Sequence, residues 1–192
     1  MHASVGRVLL AKLFPSLFVT GLVMSLATVP AQAAPAVVLD ATCVGTSTVN
    51  YQPGLTYTPQ SVTVQGTINL NCVSSNLSTP LLLEGTISGG GTGTLNCALL
   101  NPSSSGTSSI AWKTINGAPY ATSTYTYTTS IGPGAAGTTV HTNTGNITSG
   151  LFAGDGILLV TVYANLDLDA CGTPEGLTSR SGPSTAEITS LL

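Results

Sequence analysis

The sequence predicts an all-β fold: an antiparallel β-sandwich, immunoglobulin-like or related, with a closed β-barrel as the alternative. Three observations carry this expectation. Apolar and polar residues alternate with a period of two over long stretches. Turn chemistry rich in Gly, Pro, Asn and Asp separates those stretches. Finally, 30 threonines stand in a chain of which only 6% is charged, a composition suited to pleated, half-wet strands. Beyond the N-terminal segment no stretch carries a helical period.

That segment, residues 1–33, reads as a secretory signal peptide. Arg7 and Lys12 precede an uncharged apolar run over 13–29, and Ala31-Gln32-Ala33 offers small residues where a signal peptidase cuts. The run is too short, and too interrupted by Pro15 and Gly21, for a membrane-spanning helix, so no transmembrane segment is expected after cleavage. Residues 34–192 then form one secreted β domain of 159 residues. In that domain Lys113 and Arg180 face seven carboxylates, a net charge of −5, which argues against nucleic acid as a partner.

The first strand places Val37, Leu39, Ala41 and Cys43 in one phase. The second alternates most clearly: Val62, Val64, Gly66, Ile68, Leu70 and Cys72 share one face, while Ser61, Thr63, Gln65, Thr67, Asn69 and Asn71 share the other. A second Leu-Asn-Cys at 95–97 repeats the phase, with Leu95, Cys97 and Leu99 inward and Thr94 and Asn96 outward. Further strands are expected over 81–88, 109–115, 122–130, 138–143, 157–168 and 186–191. "QPG", "SGGGTG", "NPSSSG", "NGAP", "GPGAAG", "GDG" and "SGP" supply the turns. Trp112, in phase with Ile110, is a core residue; its place between Cys97 and Cys171 fits an immunoglobulin-like core only loosely.

Four cysteines, an even number in an exported domain, imply two disulfides. If the "YQPGLTYTP" stretch joins the first two strands as a hairpin, Cys43 meets Cys72 across adjacent strands, which leaves Cys97 for Cys171. Leu158, Val160, Val162, Ala164, Leu166, Leu168 and Ala170 are read as the inward set, which puts Cys171 out of phase, on the face of Asp167 and Asp169. Either a bulge or an early strand end would resolve this. No Cys-x-x-Cys occurs and His141 is the only histidine of the domain, so no metal site and no cofactor are implied.

For chemistry, a Ser-His-Asp hydrolase would need His141, which beside an inward Val140 is expected to point outward, and no Gly-x-Ser-x-Gly elbow appears. Asp167 and Asp169, two apart on one strand face, would form a carboxylate pair or the start of a calcium site, and are read more simply as solvated charge. In "TSTYTYTTS", Tyr125 and Tyr127 share one face with Ser123 and Thr129; neither face reads as core, so the tyrosines are expected as an exposed ridge that stacks on a sugar or anchors a protein. "TCVGTSTVNYQPGLTYTPQSVTV", "SGLFAGDG" and "CGTPEGLTSRSGP" together resemble a group of small exported actinobacterial proteins with four cysteines and Thr-rich strands. That group has no assigned activity, so the resemblance implies export and a β fold and transfers no site.

The resulting expectation is a secreted, extracellular or envelope-associated, non-enzymatic protein that recognises a protein or glycan through its surface or acts as a structural module. Tyr125 and Tyr127 are its candidate binding residues. A secreted hydrolase using Asp167, Asp169 or His141 is one alternative. An enzyme inhibitor presenting the "IGPGAAGTT" loop is the other.

Overall fold

The computed structural model describes residues 36–98, 104–135 and 137–191, with only the backbone of 166–168 and 191, and the predicted signal segment 1–33 lies outside them. Eight antiparallel strands run up and down in sequence order: β1 (Val37–Leu55), β2 (Gln60–Ser74), β3 (Leu82–Leu95), β4 (Ser105–Thr114), β5 (Pro119–Pro133), β6 (Thr138–Gly150), β7 (Gly156–Ala164) and β8 (Leu177–Leu191). β8 pairs back onto β1 from Val37↔Leu191 to Leu55↔Leu177, so the sheet closes into a barrel. The architecture is therefore the barrel alternative and not the sandwich. Closure pairs the two outer strands with each other and leaves no free sheet edge between them.

The phases of β1 and β2 follow the sequence pattern. Cys43↔Cys72 and Gly45↔Leu70 are in register across the pair, and Asn71 faces out. In the shorter repeat, Leu95 ends β3, and Asn96, expected at the surface, is buried just past the strand end where the chain turns in over the barrel mouth. A register shift between Leu39 and Ala41 in the β1 and β8 pairing adds one residue, Asp40, and turns its side chain into the interior.

Two strands depart from the expected reading. β7 ends at Ala164 and points Ile157, Leu159, Thr161 and Tyr163 inward, which leaves Leu158, Val160 and Val162 on the outer face. Both parities of "GILLVTVYA" are rich in apolar residues, so alternation by itself does not choose the inner one. A 3-10 helix over Asn165–Gly172 follows, so Cys171 lies beyond the strand, which is why it falls out of phase. β3, by contrast, continues through Ser88-Gly-Gly-Gly-Thr-Gly, where a turn was expected, and stays paired to β2 as far as Gln60↔Leu95. Gly90 is needed there, because a Cβ would collide with the Val64 carbonyl.

The interior divides along the barrel axis. At the end where β1 begins, Trp112, Leu83, Ile110, Ile147 and Ile188 pack with the Cys43–Cys72 disulfide, and Phe152 caps them, its ring 5.7 Å from that of Trp112 and edge-on to it. Burying side chains of this size contributes about 1.5 to 3 kcal/mol each. At the other end a smaller cluster of Leu55, Val62, Leu177 and Tyr51 packs with the Cys97–Cys171 disulfide, which ties the 3-10 helix to the chain leaving β3. Between the two clusters glycines and hydroxyl side chains are interspersed among the apolar wall residues.

Outward positions carry mainly hydroxyls and amides, as on β5, where Thr122, Thr124, Thr126 and Thr128 face out. No described helix is long and apolar enough to cross a membrane.

Candidate ligand chamber

Eight strands enclose an interior just wide enough to be filled by side chains or to hold one small ligand. Here the middle of the barrel is not filled. β3 and β4 pair over only five positions, Leu83↔Thr114 to Ile87↔Ile110. Beyond them β3 follows β2 and β4 follows β5, so among the described residues no ladder joins Ser88–Leu95 to Ser105–Ser109. The separation opens a slit in the wall. Gly89 to Thr92 form one lip and Ser104 and Ser108 lie on the other, and behind them is a chamber of about 570 Å³.

The glycines set its size. Gly89, Gly91 and Gly93 face inward opposite Gly66, Val64 and Val62, and a Cβ built on any of the three meets nothing within 4 Å. None of the three has a positive φ, so their backbone conformation does not demand glycine. What they leave is space. The far walls are aliphatic (Val49, Val64, Ile68, Ile87 and Leu159) and aromatic (Tyr125 and Tyr127).

The polar groups cluster toward the smaller core. Ser47 Oγ and the Tyr163 hydroxyl are 2.8 Å apart and both line the chamber. His141 stands edge-on to the Tyr163 ring at 4.9 Å, and the Arg180 guanidinium lies 4.5 Å from the centre of the same ring. On β6, Asn143 accepts a 2.5 Å hydrogen bond from Thr129 Oγ1. Burial, assisted by the nearby Arg180 cation, lowers the His141 pKa to about 4, so the imidazole is neutral at neutral pH. Burial raises the Tyr51 and Tyr163 phenols, and Arg180 opposes the rise without cancelling it.

Several expected site residues stand elsewhere than the sequence suggested. Tyr125 is buried, only 3% exposed, and Tyr127 is half-buried, their ring centroids 5.9 Å apart, so the pair forms a wall of the chamber and not an exposed ridge. Their face reads as polar in sequence because Ser123 and Thr129 share it, yet Ser123 is itself buried, accepting from Trp112 Nε1 at 2.8 Å and donating to the Leu151 carbonyl at 2.5 Å. His141 points inward, the opposite of the expectation, because Val140 pairs with Val162 on the outer face.

Asp167 and Asp169 lie on the 3-10 helix, so the period-two spacing that would pair them on a strand does not apply. Asp169 is exposed, and the Asp167 side chain is outside the described residues. No group of three His, Cys, Asp or Glu gathers among the described residues. The "IGPGAAGTT" stretch is mostly strand, its turn closed by a Gly134 N–H donating to the Thr138 carbonyl at 2.9 Å.

Sequence reasoning missed Arg180, Ser47, Tyr163 and the glycine wall. The signal for Arg180 was present: it shares the parity of Ala186 and Ile188, which extends along β8 through Ser184. Compared with known proteins, the chain matches no protein-family model, no curated protein and no solved structure.

Proposed function

We propose that this is a secreted, non-enzymatic binding protein that takes a small molecule into the middle of its barrel. The observation that carries the reading is the chamber behind the β3 and β4 slit, emptied by Gly89, Gly91 and Gly93 in a protein whose two ends are packed solid. Its volume falls within the range of pockets that enclose small ligands, and its lining is mostly apolar with a few convergent polar groups. Recognition thus moves from the outer surface to the interior, because Tyr125 and Tyr127 face inward.

Two disulfides suit an oxidising, extracellular setting, and the N-terminal segment has the composition of an export signal. A neutral, buried His141 beside a cation is a poor general base at neutral pH, which weighs against the hydrolase alternative.

The test is Gly91→Phe, which places a ring into open space inside the slit. Binding is read with two fluorescent probes, 8-anilinonaphthalene-1-sulfonate and its uncharged parent N-phenyl-1-naphthylamine. The variant is expected to keep the wild-type circular dichroism spectrum and melting temperature and to lose probe binding by at least about ten-fold. Unchanged binding by a folded variant would place the probe outside the chamber and end this reading.

A further inference from the structure

Arg180 is the one cation buried among the described residues, 2% exposed, and the middle of the barrel provides no counter-charge for it. Among the described residues none of its three guanidinium nitrogens makes a well-aligned hydrogen bond, and the polar group that bears on it is the uncharged Tyr51 phenol. Its neighbours include two aromatic side chains, the Tyr163 ring beneath it and Tyr51 at its side. A cation taken out of water without a carboxylate carries a desolvation cost that a cation–π contact offsets only in part. Substituting an apolar side chain of similar length would remove that cost. The packed ends of the same barrel show that the interior accepts apolar side chains.

The cation also has a direction. Arg180 lies over the Tyr163 ring and is not itself part of the chamber lining, whereas Tyr163 and its hydroxyl partner Ser47 both are. Two hydroxyl protons are present in that pair and one serves the bond between them, so one remains to donate toward a ligand. This end of the chamber is thus a donor backed by positive charge. The opposite walls, Ile68, Ile87, Leu159 and Tyr125, belong to or pack against the larger apolar cluster. The chamber is polarised, with a positive pole and an apolar body.

Resting on the reading of the chamber as a ligand site, we infer that its ligand class is an amphiphile with a single anionic head group, a carboxylate in the simplest case. The head group lies against Tyr163 and Ser47 at the Arg180 pole and the apolar portion lies against the aliphatic and tyrosine walls. The ligand's charge supplies the neutralisation that the protein leaves out.

The experiment compares matched charged and uncharged ligands on the intact secreted domain. 8-Anilinonaphthalene-1-sulfonate is set against N-phenyl-1-naphthylamine, and decanoate against decanol as displacers. Wild type is expected to favour the anionic member of each pair by at least about ten-fold. Arg180→Met should remove that preference while keeping the uncharged probe's affinity and a melting temperature at or above wild type; Arg180→Lys should keep most of the preference.

Equal affinity for both members in wild type, or a preference that survives Arg180→Met, would overturn the inference while leaving the chamber reading intact. Binding of neither probe to wild type would overturn both. If Arg180→Met does not fold, the decision rests on the wild-type comparison and on the double variant Tyr163→Phe, Ser47→Ala, which keeps the ring under Arg180 and removes both hydroxyl donors. The double variant is expected to weaken the anionic probe by about five-fold or more and the uncharged probe by less than two-fold, and equal effects on both would overturn the inference.

Discussion

Replacing His141 by Phe should change how stability depends on pH, and the size of the change follows from the surroundings of His141. The imidazole is 6% exposed, edge-on to Tyr163, and close enough to Arg180 for the guanidinium to repel its protonated form. Both effects favour the neutral ring and hold its pKa near 4, against 6.5 in the unfolded chain. A folded pKa below the unfolded one means that the unfolded chain binds more protons between those two values, so stability is complete above about pH 6.5 and falls as pH drops toward 4.

Protonating only the unfolded state across that window is worth about 2.5 kcal/mol between about pH 7.5 and about pH 4.5. Solvent reaching the ring through the slit reduces this to about 2 kcal/mol. Phe keeps an aromatic ring against Tyr163 but does not titrate, so any fixed cost of the substitution cancels when two pH values are compared. Asp155, whose carboxyl is raised by burial and by the nearby Asp40, has the opposite pH dependence but is present in both proteins and also cancels.

The assay is urea unfolding at the two pH values, followed through the fluorescence of Trp112, the only tryptophan and 1% exposed. Wild type should lose about 2 kcal/mol more than His141→Phe on acidification. A difference below about 0.5 kcal/mol, or an NMR titration of His141 near pH 6.5, would refute the claim that burial and the Arg180 charge dominate this part of the barrel.

Two further perturbations test the scaffold. Removing Cys97–Cys171 as a double alanine variant opens a loop of 74 residues and should cost about 4.5 kcal/mol, against about 3.5 kcal/mol for the 29-residue loop of Cys43–Cys72. Guanidinium midpoints measure both, and a loss under about 1 kcal/mol for the longer loop would contradict the role given to it in holding the 3-10 helix over the barrel end. Ser123→Ala strands the buried Trp112 Nε1–H and removes the donor to the Leu151 carbonyl, so it should cost about 1 to 3 kcal/mol. A melting temperature equal to wild type would show that the relay is dispensable.

Much of the local structure could be read directly. The alternation from Val62 to Cys72 gives the inner face of β2 because each residue's side is set by its neighbours through the period-two pleat, and Trp112 and Ile110 followed the same rule into the core. Where both parities were apolar, as in β7, or both appeared polar, as around Tyr125, the pleat allowed two answers and the barrel's curvature selected one. His141 went inward for that reason. The glycine run from 89 to 91 looked like a turn because glycine is locally permissive, but β2 offered it a continuous row of partners and made it a strand.

By itself, then, the sequence determined an all-β chain of antiparallel strands, the inner phases of β1 and β2, and cysteines suited to an oxidising space, because these depend on neighbours along the chain and on composition. The tertiary structure alone decided that β8 returns to β1, that β3 and β4 part beyond Ile87, and that a buried Arg180 lies beside Tyr163 at one pole of the space they enclose. Such features arise where residues far apart in sequence meet, and the alternation within any one strand carries no record of the strand it will face.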